Sequence, residues 1–388
     1  MNLLRVIASM DPSSGGPCQG IRNSMEALTQ LGVHVEIASL DGPNAGFIEK
    51  DDFPIHALGP AKGPWKYNAR LEAWLLDNLE RFDAVIVHGL WLYNGYAVHK
   101  ALKKLKKRPG ARVPKLYVMP HGMLDPYFQK ASSRELKAAR NVIYWKWIES
   151  NLVNEADGVL FTCQAELELA RLPFKPYKPK AELNVGYGIA EPPARAWIDK
   201  NPGPYPGNKP YLLFLSRIHD KKGVDLLIKA YTQLKEEGYA LPGLLVAGPG
   251  LDTSYGLLVR DMAKGDDDIL FPGMLSGSAK WAAFHNCEAF ILPSHQENFG
   301  IAVVEALACG KPVLISNQVN IWREISNETA GIIEEDTLEG TRRMLESWIS
   351  LPPDKKQEMS LQARRSYTKY FKVESAARHM LSAINPYK

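Results

Sequence analysis

Short β-branched runs alternate with helical segments along the whole 388-residue chain, a rhythm that restricts the fold to parallel sheets with helices on both faces. The first half places such runs at Leu4–Ser9, Val33–Ser39, Ala84–His88, Leu116–Pro120, Gly158–Thr162 and Leu183–Val185. The second half places them at Tyr211–Ser216, Leu244–Ala247, Ile269–Phe271, Ala289–Pro293, Val313–Ser316 and Gly331–Ile333. Between the halves, Glu191-Pro192-Pro193 and the stretch Asn201-Pro202-Gly203-Pro204-Tyr205-Pro206-Gly207-Asn208 have the proline and glycine density of a linker. The chain is too long for one ordinary core. It therefore reads as two α/β domains, 1–190 and 210–370, joined by a linker at 191–209 and facing across a cleft. Toward the C-terminus, 355–370 and 373–384 read as helices, and the break at Phe371-Lys372 lets the last segment, 371–388, cross back to the first domain.

Composition narrows the class. With 45% hydrophobic and 23% charged residues and no low-complexity tract, the chain is a folded globular protein. Cys18, Cys163, Cys287 and Cys309 have neither CxxC spacing nor a histidine at metal-ligand intervals, so no zinc or other metal site is expected, and reduced thiols suit a cytoplasmic protein. The apolar run from Leu3 to Ala8 ends at Asp11-Pro12 without the features of a signal peptide, and no run is long enough to span a bilayer.

Residues 1–190 hold 24 Lys/Arg against 19 Asp/Glu, whereas the remainder holds 23 against 24, which puts the basic excess in the first half. It concentrates in Lys100, Lys103, Lys104, Lys106, Lys107, Arg108, Arg112 and Lys115, around an apolar stripe of Val98, Ala101, Leu102 and Leu105. Such a helix is either a solvated flank or a face that attracts anionic lipid, which would place the protein at the inner face of the membrane.

Some helix boundaries are explicit. Ser132 and Glu135 form a capping box ahead of Leu136, Val142 and Ile143, and Ile21, Met25, Leu28 and Leu31 make a stripe closed by Gly32. Trp145 and Trp147 are expected to pack on the first domain.

Four segments fall at strand C-termini, where open α/β sheets place their ligands. After the first strand, Gly15-Gly16 lets a ligand approach backbone closely, although a glycine pair also serves a plain tight turn. After Leu116–Met119 comes His121-Gly122, an imidazole able to donate to a hydroxyl or a developing charge, or simply a structural histidine. After Tyr211–Ser216, Arg217 and Lys222 open a helix; cations there oppose the helix dipole unless an anion is present, which suits a diphosphate. Last comes Glu297-Asn298-Phe299-Gly300-Ile301, leading into an apolar helix that carries Glu305. A carboxylate on so apolar an element needs a cation or a ligand hydroxyl. Glu297 in the loop and Glu305 in the helix could grip opposite ends of one elongated ligand, with the helix N-terminus facing an anion between them.

These residues resemble the retaining, nucleotide-sugar-dependent glycosyltransferases of GT-B family 4. Glu297 to Glu305 is similar to that family's E-x7-E motif, Arg217 and Lys222 to its diphosphate-binding cations, Gly15-Gly16 to its N-terminal glycine loop and His121 to its cleft histidine. The resemblance implies a GT-B fold, α/β, with two Rossmann-like domains: acceptor in the first, nucleotide-sugar donor in the second. It further implies that Glu305 binds ribose, that Glu297 holds donor-sugar hydroxyls, and that backbone from Asn298 to Ile301 binds phosphate. Gly273-Met274-Leu275 would line the base pocket and His121 would contact the sugar near the reacting carbon. No metal or other cofactor is implied beyond a UDP- or GDP-sugar, and the acceptor is a sugar or lipid-linked sugar in polysaccharide, lipopolysaccharide or glycolipid synthesis. Nucleic acid is not an expected partner. A sugar-nucleotide-binding protein without turnover and a sugar phosphorylase are the competing readings, and the absence of G-x-G-x-x-G after the first strand argues against a dinucleotide oxidoreductase.

Overall fold

Seven parallel strands form the first sheet, in the order β3-β2-β1-β4-β5-β6-β7. They are β1 (Asn2–Ile7), β2 (His34–Ser39), β3 (Ile55–Ala57), β4 (Ala84–His88), β5 (Lys115–Met119), β6 (Gly158–Phe161) and β7 (Glu182–Asn184). Six more, β8 (Tyr211–Leu215), β9 (Gly243–Ala247), β10 (Ile269–Gly273), β11 (Ala289–Leu292), β12 (Val313–Ser316) and β13 (Gly331–Glu334), form a second parallel sheet in the order β10-β9-β8-β11-β12-β13. The computed structural model describes residues 1–130, 135–194 and 209–385. It divides into two units, Met1–Gly188 with Val373–Lys388, and Ile189–Lys372. The capping serine at position 132 and the proline-rich stretch 201–208 lie outside the described residues.

In the first unit, alternation along the strands sorts side chains between two helical layers. Leu4 and Val6 of β1, Val85 and Val87 of β4, and Leu116 and Val118 of β5 join one core cluster with Leu71, Leu75 and Leu79 and with Val98, Ala101, Leu102 and Leu105. Full burial of each Val or Leu side chain among these stabilises by roughly 1.5–3 kcal/mol. Arg5 and His88 point to the opposite face, under the helices Gly16–Gln30 and Val373–Ile384. The latter buries Val373, Ala377, Met380 and Ile384 at helical spacing, and the two helices pack together.

The expected strands are present, with boundaries moved by a residue or two. β3 was not foreseen, because three residues between Pro54 and Pro60 show no alternation. Leu31 does not complete the stripe of the first helix: it caps the helix and is partly exposed.

The segment after His121 departs further from expectation. The helix Glu135–Tyr144 runs into a π turn, Trp145–Glu149, before Ser150–Glu155. Wider winding changes which side chains face inward. Trp145 is buried and stacks on Phe174 at 5.0 Å, but Trp147 is 70% exposed, as are Leu136 at 90% and much of Val142 and Ile143. This apolar run is not core.

Glycine fixes one close approach in the second unit. Gly248, after β9, has φ +148°, and a Cβ there would lie 1.8 Å from the Ser216 carbonyl oxygen. The Ile218 N–H donates to Pro249 O at 2.8 Å, so this loop braces the segment that carries Arg217. Gly248→Ala is expected to lower stability by about 1–3 kcal/mol through overpacking and strain. A denaturant midpoint equal to the parent's would show that the two loops can separate at no cost.

Candidate functional site

β8 and β11 are neighbours in the sheet but far apart in sequence, so the chain winds in opposite directions from them and their C-terminal loops lie side by side. The β8 loop carries Arg217, Lys221 and Lys222, and the β11 loop carries Glu297. The Lys221 carbonyl ties the loops together: the His295 N–H and the Ser294 hydroxyl both donate to it at 2.9 Å. Gly223 makes this approach possible. It adopts φ +67°, and a Cβ would stand 2.1 Å from Pro293 O.

Within this junction Lys222, almost wholly buried, forms an ion pair with Glu297. Lys221 Nζ donates to Gln296 Oε1 at 2.8 Å. Arg217 is exposed and makes no hydrogen bond or ion pair with any described residue. Burial pushes the Glu297 carboxyl up, yet the charges of Lys222, Lys221 and Arg217 overcome this and hold it below the usual carboxylate range. The sequence argument that Lys222 needs an anion is thus met, in the chain alone, by Glu297.

Gly300, with φ +76°, starts the helix Ile301–Ala308 without any side-chain cap, so the N–H groups of its first turn have no intrahelical acceptor. Phe299 anchors the entry by packing edge-on against Phe371 at 5.8 Å, and Asn298 Oδ1 accepts from Asn320 Nδ2 at 3.5 Å. Glu305, buried in the same helix, answers the question its sequence raised: Lys280 Nζ donates to its Oε1 at 2.7 Å. Burial still outweighs that cation and leaves the Glu305 carboxyl above its ordinary value. Gly273 ends β10 with φ +78°, Met274 beyond it is exposed, and Leu275 is half-buried.

The first unit has its own winding reversal, between β1 and β4. Gly15, φ +91°, precedes the helix Gly16–Gln30 and has open space where a Cβ would sit. The Tyr187 hydroxyl donates to Gly16 O at 2.7 Å. Gly20 leaves room for that ring, since a Cβ there would lie 1.4 Å from the hydroxyl oxygen. His121 has φ +54°, in the left-handed region that non-glycine residues rarely adopt. Glu166 holds the turn: one oxygen accepts from the Gly122 N–H at 2.5 Å, the other from the Thr162 N–H and hydroxyl at 2.7 and 2.6 Å. His121 Nε2 lies 2.8 Å from Nδ1 of His88, whose Nε2 accepts from Arg5 Nε at 3.2 Å.

Sequence reasoning did not single out Lys221, Lys280, Glu166, His88 or Arg5. His88 was the most accessible of these, since it closes a strand and the positional argument used for His121 applies to it equally. Among the basic residues of the first unit, Lys100 and Lys104 pair with Glu72, and Lys103 pairs with Glu155, so much of that charge is neutralised within the fold.

The profile described as "Glycosyl transferases group 1" matches residues 196–366, and that described as "Glycosyl transferase 4-like domain" matches residues 15–180. The chain is 27% identical over 340 residues to a glycogen synthase of Mycobacterium tuberculosis, covering 84% of this chain and 73% of that protein. It is also 27% identical over 198 residues to a D-inositol 3-phosphate glycosyltransferase of Saccharomonospora viridis, covering 48% of this chain and 45% of that one. Among solved structures, Anabaena Alr3699/HepE in complex with UDP and glucose superposes with a TM-score of 0.71 at 17% identity, over 99% of both chains. Sucrose-phosphate synthase from Thermosynechococcus elongatus superposes with a TM-score of 0.71 at 20% identity, over 99% of this chain and 98% of that one. These likenesses give the fold class as GT-B, and with the two matched domains they identify the chain as an enzyme, a member of the glycosyl transferases group 1 family.

Proposed function

We propose that this transferase moves a sugar from a nucleoside-diphosphate sugar, UDP- or GDP-linked, to an acceptor hydroxyl, with retention of anomeric configuration and without a metal ion. The reading is carried by the gathering of Arg217, Lys221 and Lys222 around Glu297, beside the uncapped helix start at Gly300. Breaking the bond between the anomeric carbon and the phosphate oxygen builds negative charge on the diphosphate, and preorganised cations stabilise it most at that moment. The acceptor oxygen attacks from the face the phosphate leaves, and the departing phosphate oxygen takes the acceptor proton. Glu305 would hydrogen-bond ribose through Oε2, since Lys280 occupies Oε1. Glu297 would hold sugar hydroxyls, backbone from Asn298 to Ile301 would bind phosphate, and Gly273-Met274-Leu275 would line the base pocket. Gly15-Gly16 and His121 would stand by the transferred sugar.

The test is a melting-temperature screen with UDP-, GDP- and ADP-sugars, followed by single-turnover release of nucleoside diphosphate. A ligand that binds only the folded state raises the melting temperature. A shift with one donor class and diphosphate release on adding a hydroxyl acceptor are expected. No shift with any class would overturn the donor assignment, and release dependent on inorganic phosphate instead would make the protein a phosphorylase.

A lipid-linked acceptor is favoured by a second observation. Lys103, Lys104 and Lys107 line a groove of about 260 Å³ together with Tyr96, Ile148 and the exposed Trp147. Apolar side chains ringed by lysines suit an anionic lipid surface. No helix among the described residues is long and apolar enough to cross a membrane, so contact would be peripheral. Because Lys106 and Lys107 form no ion pair with described residues, they are the informative positions. Each contributes roughly 1 kcal/mol of attraction near an anionic surface, so changing both to Glu is expected to cut binding to phosphatidylglycerol vesicles by more than about tenfold. Undiminished binding would point to a soluble acceptor.

A further inference from the structure

Arg5 is a guanidinium buried to 2% exposure that forms no ion pair with any described carboxylate. Its donors go instead to Ser24 Oγ at 2.7 Å, to Met380 Sδ at 3.9 Å and, through Nε, to His88 Nε2 at 3.2 Å. So costly a burial needs a reason. An arginine Nε–H can only donate, so His88 Nε2 must be the bare, accepting nitrogen. A neutral His88 then carries its proton on Nδ1 and donates across 2.8 Å to His121 Nε2. That nitrogen is therefore also an acceptor, and the proton of neutral His121 sits on Nδ1.

We propose that Arg5 and His88 are positioning residues that lock His121 as a neutral imidazole protonated on Nδ1. His121 thereby presents a fixed N–H donor to the ligand and does not act as a base. Protonating His121 would set its Nε2–H against the Nδ1–H of His88, and Arg5 stands behind both rings. The other polar groups around His121 do not offset this. Tyr187 meets its ring edge-on at 6.3 Å, and the Glu166 carboxylate is engaged by Gly122 and Thr162. Burial, with Arg5 adding to it, lowers the His121 pKa to about 3, and that of His88 falls in the same sense. In the proposed reaction such a donor would steady a sugar oxygen near the breaking bond, leaving proton transfer to the phosphate. That use rests on the function proposed above, whereas the protonation pattern does not.

The experiment is a long-range proton–nitrogen correlation on protein labelled with 15N-histidine, free of ligand, from about pH 5 to about pH 8. His88 and His121 are assigned by the loss of signals in His88→Gln and His121→Gln. Expected is a protonated Nδ1 and a bare Nε2 on both rings, unchanged across the range. Arg5→Met should release the constraint and let both rings move to the Nε2-protonated form, and Arg5→Lys should restore the original pattern. Arg5→Met should also lower kcat about ten- to a hundredfold with a smaller change in donor KM, as when the partner orienting an imidazole is removed. A protonated Nε2 on either ring of the parent protein, or titration of either near neutrality, overturns the proposal even if Arg5→Met fails to fold. The expected spectra combined with no donor turnover would reject the glycosyl-transfer reading and leave this one standing.

Discussion

Arg217→Ala lowers turnover by about two powers of ten, the loss expected on removing one preorganised donor to developing charge, and leaves the melting temperature unchanged. The second half of that expectation follows from the exposed position of Arg217 and its lack of hydrogen bonds to described residues. Lys222→Ala should cost at least as much in turnover but behave differently in stability. It leaves the Glu297 carboxylate, pinned among two loops, without the cation that pairs with it. An orphaned charged group in such a place costs about 1–3 kcal/mol, reduced by the partial exposure of Glu297. Its carboxyl should then rise toward or above its ordinary value, because burial already pushes it that way. Measured together, kcat at saturating donor and the thermal midpoint separate the two lysine effects. If both variants turn over normally, these cations do not serve the leaving diphosphate.

The second large effect concerns pH and lies away from the transfer chemistry. Glu149 is fully buried on the π turn, one carboxyl oxygen accepting from the Trp91 N–H at 2.7 Å and the other without a hydrogen-bond partner among the described residues. Burial raises its pKa from 4.5 to about 8, the Trp91 amide opposing only in part. A raised acid pKa means that the unfolded chain releases this proton well before the folded one does. The contribution is therefore fully present below about pH 4.5 and is lost as pH climbs toward about 8, by up to roughly 5 kcal/mol on the shift given. Glu149→Gln abolishes that titration, so its stability relative to the parent should grow steadily between pH 5 and pH 8 in denaturant melts. Parallel stability profiles for the two proteins would mean that Glu149 ionises normally in the folded state.

The parallel architecture was legible because apolar runs such as Leu212–Phe214 and Phe290–Leu292 are continuous and buried on both faces, and such runs stand out in sequence. The candidate loops were legible for a related reason, since Arg217, Lys222 and Glu297 each lie in the segment that leaves the C-terminal end of a strand. Pairings between distant elements were not. Nothing in the local pattern of Gly277–Asn286 indicates that Lys280 reaches Glu305, and nothing near Lys100 or Lys104 points to Glu72, 28 and 32 residues away. Trp147 misled because an aromatic residue on a helix does not say what covers it, and within the π turn Trp145 faces inward while Trp147 faces out. Arg5 was hidden inside a hydrophobic run whose neighbours Leu4 and Val6 face the other way.

The unit that contains β1 is assembled from both ends of the described chain, closing with Val373–Ile384 against Gly16–Gln30. During synthesis, everything from Ile189 to Lys372 leaves the ribosome before that closing helix does. The unit begun first is therefore completed last, although all seven of its strands precede β8, and until then Gly16–Gln30 presents a bare apolar flank and Arg5 lacks its contact with Met380. A nascent chain halted just short of Val373 would hold one finished body and one that chaperones still have reason to bind.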